Sequence, residues 1–215
     1  MPTILCYGDS NTHGADPVTG GRHPRDIRWP GVLALELAGL ADVIEEGLNG
    51  RTTIWDDPFT DGRNGRTHLF PCLRSHRPLD VVVIMLGTND LKPLFRLAAH
   101  EIAGGAQALV DVVLASGTGP GGGRPQILLI APPALSEATD RSELWGFRGR
   151  DVIARELPRL YRTAAEERGV AFLDASALVA GDPADGVHLN AEAHGILGRA
   201  VARAVRGMLT GAPSA

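Results

Sequence analysis

Five short apolar runs recur along the chain, each too short and too continuous for one face of an amphipathic helix. They cover residues 3–7, 41–45, 80–86, 126–131 and 170–174, and the third, Val81-Val82-Val83-Ile84-Met85-Leu86, is unbroken and largely β-branched. Runs of this kind predict strands buried on both faces, the habit of a parallel sheet. Between them the pattern changes to helical spacing, with predicted helices over 30–39, 66–76, 98–116, 150–168 and 191–209. Pro30 suits a first helical turn. Asn190 suits an N-cap, and Ile196, Leu197, Ala200, Val201 and Val205 line one face of the last helix. A proline inside a helix lacks an N–H and crowds the carbonyl four residues back, so Pro71 is a point of interruption and Pro158 is expected to kink its helix. Residues 13–28, 54–65 and 134–148 are rich in turn formers or irregular and read as loops.

Strands alternating with helices define an α/β chain whose five-stranded parallel sheet is covered on both faces. A length of 215 residues and the absence of a dividing linker or repeat fit a single domain over 1–215. The charge balance, 21 basic against 25 acidic residues, gives no reason to expect nucleic acid or an anionic membrane as partner. No apolar run approaches the roughly 20 residues of a membrane span, and Met1-Pro2-Thr3 leads directly into the first strand, so the expected location is cytoplasmic. Cys6 lies inside the first strand as a small hydrophobe. Neither Cys6 nor Cys72 belongs to a Cys-x-x-Cys or Cys/His pattern, so no metal or other cofactor is expected. Lys92 is the only lysine among the 21 basic residues, which reads as compositional bias and not as a site.

Gly117-Thr118-Gly119-Pro120-Gly121-Gly122 matches a dinucleotide fingerprint in its letters, but it follows a predicted helix and precedes a strand. A phosphate-cradling loop requires the reverse order, so this segment is a flexible connection.

Four other segments each follow a predicted strand: Gly8-Asp9-Ser10, Asn49-Gly50, Gly87-Thr88-Asn89-Asp90 and Asp185-Gly186-Val187-His188. In a parallel sheet such segments lie along one edge and can converge. Together they hold what acyl transfer requires. Ser10 is a candidate nucleophile, His188 a base to take its proton, and Asp185 a carboxylate to orient the imidazole. The backbone N–H groups of Ser10 and Gly50 and the side-chain amide of Asn89 are candidate oxyanion donors.

These four blocks, in this order and over nearly the whole chain, resemble those of the SGNH (GDSL-type) hydrolases, whose Ser, Gly, Asn and His they supply. Glu45-Glu46-Gly47-Leu48-Asn49-Gly50-Arg51-Thr52-Thr53, Asp56-Asp57-Pro58 and Ile84-Met85-Leu86-Gly87-Thr88-Asn89-Asp90 resemble the bacterial arylesterase/acyltransferase branch. The resemblance implies a flavodoxin-like three-layer α/β/α fold and a serine esterase that hydrolyses short acyl esters, or passes the acyl group to an alcohol. Carbohydrate deacetylation of the acetylxylan type is the alternative. A thioesterase or lysophospholipase would need a long apolar approach surface, and a binding module would need none of the four blocks. Asn11 stands where the family name has leucine and His13 where an aromatic residue is frequent. Asp9, Asn11, His13 and Trp145 are therefore candidates for the substrate pocket, with Trp29 and Trp55 as further candidates for its alcohol side. A small ester is the expected partner. The loops at 54–65 and 134–148 are candidates to cover the site or to meet a second copy of the chain.

Overall fold

A computed structural model describes residues 1–211. Five strands, β1 (Thr3–Gly8), β2 (Asp42–Gly47), β3 (Val81–Met85), β4 (Gln126–Ala131) and β5 (Ala171–Asp174), pair in parallel in the order β2-β1-β3-β4-β5. Among the described residues eight α-helices surround them: α1 (Ser10–His13), α2 (Trp29–Glu36), α3 (Gly65–His76), α4 (Ala99–Ala115), α5 (Asp140–Leu144), α6 (Asp151–Ala154), α7 (Leu157–Arg168) and α8 (Ala191–Thr210).

Side chains alternate across a strand, so each apolar run fills two cores. Leu5, Tyr7, Val82, Ile84, Ile127 and Leu129 point to the layer of α3, α4 and α7. Ile4, Cys6, Val81, Val83, Met85, Leu128 and Ile130 point to the layer of α2 and α8. Burying each such aliphatic side chain contributes roughly 1.5–3 kcal/mol.

The strands predicted from the apolar runs are all present. The helical boundaries differ at three points. Residues 10–13 form α1, and the 134–148 segment contains α5, whose N-cap Thr139 exchanges hydrogen bonds with Ser142 (Ser142 N–H to Thr139 Oγ1, 3.2 Å; Thr139 N–H to Ser142 Oγ, 2.8 Å). The predicted 150–168 helix is two helices. Pro158 crowds the carbonyl of residue 154, and α6 ends at Ala154. Pro71, by contrast, lies within an unbroken α3, where Leu69, Cys72 and Leu73 are buried on both sides of it.

Register sets the working edge. Gly8 is level with Gly47 on one side and Met85 on the other, so β1, β2 and β3 end on one line. The strand order reverses between β1 and β3, and the crevice beyond such a reversal is where open α/β sheets bind ligands. α1 crosses directly over this line: a side chain at Gly47 would collide with the backbone of Thr12 and His13.

Candidate active site

Ser10 is the first residue of α1, immediately past the end of β1. Asp9 caps the helix, accepting a hydrogen bond from Asn11 N–H at 2.9 Å, and Gly14 ends it in the left-handed region (φ 86°). The short helix thus fixes the serine at the cleft floor, largely buried at 7% exposure.

The 182–190 loop brings the partner side chains. His188 Nε2 lies 3.0 Å from Ser10 Oγ, and His188 Nδ1 lies 2.7 Å from Asp185 Oδ2. The other carboxylate oxygen of Asp185 accepts the N–H groups of Val187 (2.9 Å) and His188 (2.8 Å). Burial raises the Asp185 carboxyl, but these hydrogen bonds and the imidazole outweigh it and leave the pKa below the usual carboxylate value. With Asp185 ionised, Nδ1 carries the hydrogen and Nε2 presents a lone pair to the serine hydroxyl. The structure brings the three residues into one hydrogen-bonded line from segments 178 positions apart.

Asn89 and Gly50 complete the floor of the cleft. Gly50 has φ 77°, a conformation that suits glycine, and neither its N–H nor that of Ser10 donates to another group among the described residues. Asn89 Nδ2 donates one hydrogen to Arg51 O (3.1 Å), leaving the other available. Arg51 is buried, donates to Gly8 O (2.9 Å) and to Glu46 O, and stacks 4.2 Å from the Tyr7 ring centre. Asp90 accepts from Thr53 N–H (3.0 Å) and from its hydroxyl, tying the segment after Gly50 to the segment after β3. Burial pushes the carboxyls of Asp9 and Asp90 up to about 6. The Asn11 N–H chiefly opposes this at Asp9, and the Thr53 hydroxyl does so at Asp90.

The residues open into a cleft of about 390 Å³, whose apolar wall includes Ala15, Trp145, Phe147 and Val187. Of the proposed pocket residues, Trp145 lines it and packs edge-on against His188, ring centres 5.4 Å apart. The other three do not, and the expectation for them is corrected. The Asp9 carboxylate is turned into the α1 cap and is 1% exposed. The Asn11 amide is spent on backbone, donating to Val187 O (3.2 Å) and accepting from Leu189 N–H (3.0 Å). His13 is at the far end of α1, beside Gly47, where its main-chain carbonyl accepts from Arg22. Trp29 is wholly buried under α8 and Trp55 packs on the α4 side of the core, so neither lines the cleft. Both long loops do reach it, through Arg63 and through Arg141, Trp145 and Phe147.

Two groupings escaped the sequence reading. Arg63, Lys92 and Arg141 line the cleft, although no motif marked them. His68, Cys72 and His76 share one face of α3, four residues apart, and Glu46, His68 and Cys72 place ligand-type atoms within 4.8 Å of one another. The spacing was visible, contrary to the expectation that Cys72 lacked histidine neighbours. Burial pushes the Cys72 thiol up to about 12, and Glu46 also lies 2.9 Å from His76 Nε2.

A three-layer α/β/α fold with a serine, histidine and carboxylate aligned at the carboxyl edge of its parallel sheet is the arrangement of a serine hydrolase. The chain belongs to the GDSL-like lipase/acylhydrolase family, whose sequence profile matches residues 6–196. Solved structures agree. An M. smegmatis aryl esterase shares 41% identity over 97% of this chain and 100% of its own, with TM-score 0.91. The carbohydrate acetylesterase Est24 of Sinorhizobium meliloti shares 40% over 97% and 100%, with TM-score 0.92. A putative arylesterase of Agrobacterium tumefaciens shares 44% over 97% and 100%, with TM-score 0.89. A comparison with curated proteins gave no match.

Proposed function

We propose that the chain hydrolyses short-chain acyl esters through an acyl-enzyme on Ser10. The observation that carries this is the hydrogen-bonded line Ser10–His188–Asp185 opening into the cleft. Ser10 Oγ attacks the ester carbonyl carbon while its proton moves to His188 Nε2, and Asp185 stabilises the imidazolium through Nδ1. The carbonyl oxygen takes up negative charge and is met by the N–H groups of Ser10 and Gly50 and the free amide hydrogen of Asn89. As the tetrahedral intermediate collapses, the alcohol leaves with the proton held on His188. Water, or an alcohol, then enters by the reverse route and releases the acyl group.

An acetyl-type acyl group is supported by the relative described as a carbohydrate acetylesterase, which is about as similar as the one described as an aryl esterase. The first of these keeps sugar acetates as an alternative substrate class. A cytoplasmic location belongs to the same reading, in keeping with the unpaired, buried Cys6 and Cys72.

The test is p-nitrophenyl ester hydrolysis across acyl lengths, wild type beside Ser10→Ala. Activity on acetate that fades by octanoate and is lost in the variant is expected. Full activity in Ser10→Ala would overturn the assignment. Faster turnover of acetylated xylan than of aryl acetates would move the substrate to sugars.

A further inference from the structure

Three cations line the cleft around its oxyanion donors, and none of them is held in an ion pair among the described residues. Arg63, Lys92 and Arg141 reach its wall, and among the described residues none of the three has a carboxylate within ion-pairing distance. Arg141 donates to the carbonyl of Pro17 at 2.6 Å, whereas the guanidinium of Arg63 and the ammonium of Lys92 donate to no protein group among these residues. Two acids share the wall, and both are engaged. Asp185 serves His188, and Asp16 accepts from Val18 N–H (2.9 Å) and the Thr19 hydroxyl (2.7 Å).

The two unanswered cations are held in place by the segments that carry the oxyanion donors. The Arg63 carbonyl accepts Thr52 N–H at 2.9 Å, and its guanidinium lies against Gly50, where a side chain would meet Nε at 3.2 Å. Lys92 closes the turn after Asn89, donating its N–H to Asn89 O at 3.2 Å, and its ammonium lies 5.8 Å from the Phe147 ring centre. Burial and the neighbouring Arg63 pull the Lys92 pKa below its ordinary value; Asp57, Asp9 and Asp90 act the other way without touching the ammonium. Two cations lining one cleft, with the Lys92 ammonium drawn partly out of water, carry an electrostatic cost that an anion bound by both reduces.

We propose that the ester this cleft takes is anionic, with its negatively charged group bound by Lys92 and Arg63 beside the reacting carbonyl and Arg141 at the rim. The inference rests on the Ser10 esterase reading and specifies its substrate class. If the cations served only to stabilise the oxyanion, they would favour neutral and charged esters alike.

The experiment compares matched esters, each rate divided by its hydroxide-catalysed rate. For an anion on the alcohol side the pair is p-acetoxybenzoate against p-acetoxybenzamide. For an anion on the acyl side it is mono-p-nitrophenyl succinate against p-nitrophenyl butyrate. One pair should show kcat/KM for the anion higher by about ten- to a hundredfold, the range for charge-assisted hydrogen bonds. The Lys92→Met and Arg63→Gln variants should bring that ratio toward unity, as should salt near 1 M, where the screening length is about 3 Å. Ratios near unity in wild type for both pairs, or ratios unmoved in the variants, would overturn the inference while leaving a Ser10-dependent esterase intact. Binding of p-hydroxybenzoate against p-hydroxybenzamide to Ser10→Ala reads the cations without chemistry. Monomethyl succinate against methyl butyrate does the same for the acyl side; a preference for the anion in either pair, lost in the Lys92→Met double variant, supports the anion subsite even where the esterase reading fails, and equal binding in both pairs counts against it.

Discussion

Asn11 grips the backbone on both sides of His188: its amide donates to Val187 O and accepts from Leu189 N–H. One side chain on the nucleophile's helix thus fixes the backbone on either side of the base. Asn11→Leu should leave a buried carbonyl and a buried N–H without partners, at about 1–3 kcal/mol for each group. Urea denaturation should show that loss. The kcat should fall by at least about tenfold with KM little changed, because His188 loses its alignment.

Asp185→Asn should lower kcat by roughly 10⁴, the scale known for a serine-protease triad. An amide NH₂ facing Nδ1 favours the hydrogen on Nε2, which then cannot accept the serine proton. Steady-state kinetics beside an unchanged far-ultraviolet CD spectrum checks this; near-normal kcat would show that the carboxylate is dispensable.

Asn89→Ala should cost about 10²–10³ in kcat and little in KM, as expected for a donor used mainly in the transition state. Gly50→Ala should fail for a different reason. Its φ of 77° strains any side chain by about 1–2 kcal/mol, and the new Cβ would press on Arg63 at 3.2 Å. The N–H is then displaced, and activity should fall further than stability does.

His194 gives a pH signature in stability. It is buried, accepts Trp29 N–H at 3.3 Å, and burial lowers its pKa from 6.5 to about 3. Between those values the unfolded chain binds the proton and the folded chain does not, so this residue's contribution is lost as pH falls. Asp9 and Asp90, raised to about 6, act with the opposite sign: they favour the folded state below about pH 4 and lose that contribution as pH rises through 6. The His194 part is isolated by comparison with His194→Gln, which keeps an acceptor for Trp29. The wild type should lose about 1.4 kcal/mol relative to the variant for each pH unit below 6.5, followed by urea unfolding from pH 7 to 4.

Much of this fold was legible because buried parallel strands carry an unmistakable pattern: Val81 to Leu86 admits hardly any other reading. The first and third blocks were legible because each begins where such a run stops, and the fourth because an aspartate and a histidine stand three apart in the loop before the last helix. What escaped was decided by contacts distant in sequence. Asn11 seemed a pocket residue because it stands where the family name has leucine, but its side chain is turned onto the backbone of Val187 and Leu189. α1 and α5 are too short for any periodicity, and only their caps betray them. Lys92 looked like an accident of composition until the turn after Asn89 set it on the wall of the same cleft as Arg63, a residue 29 positions earlier whose own loop gave no hint of where it would fold back.

The bond between Ser10 and His188 spans 178 residues, and Gly50 and Asn89 join from between. No fragment of the sheet can hold the whole constellation. During synthesis or refolding the chain should therefore stay chemically silent until its last segment docks, and the return of turnover should mark the final step of assembly.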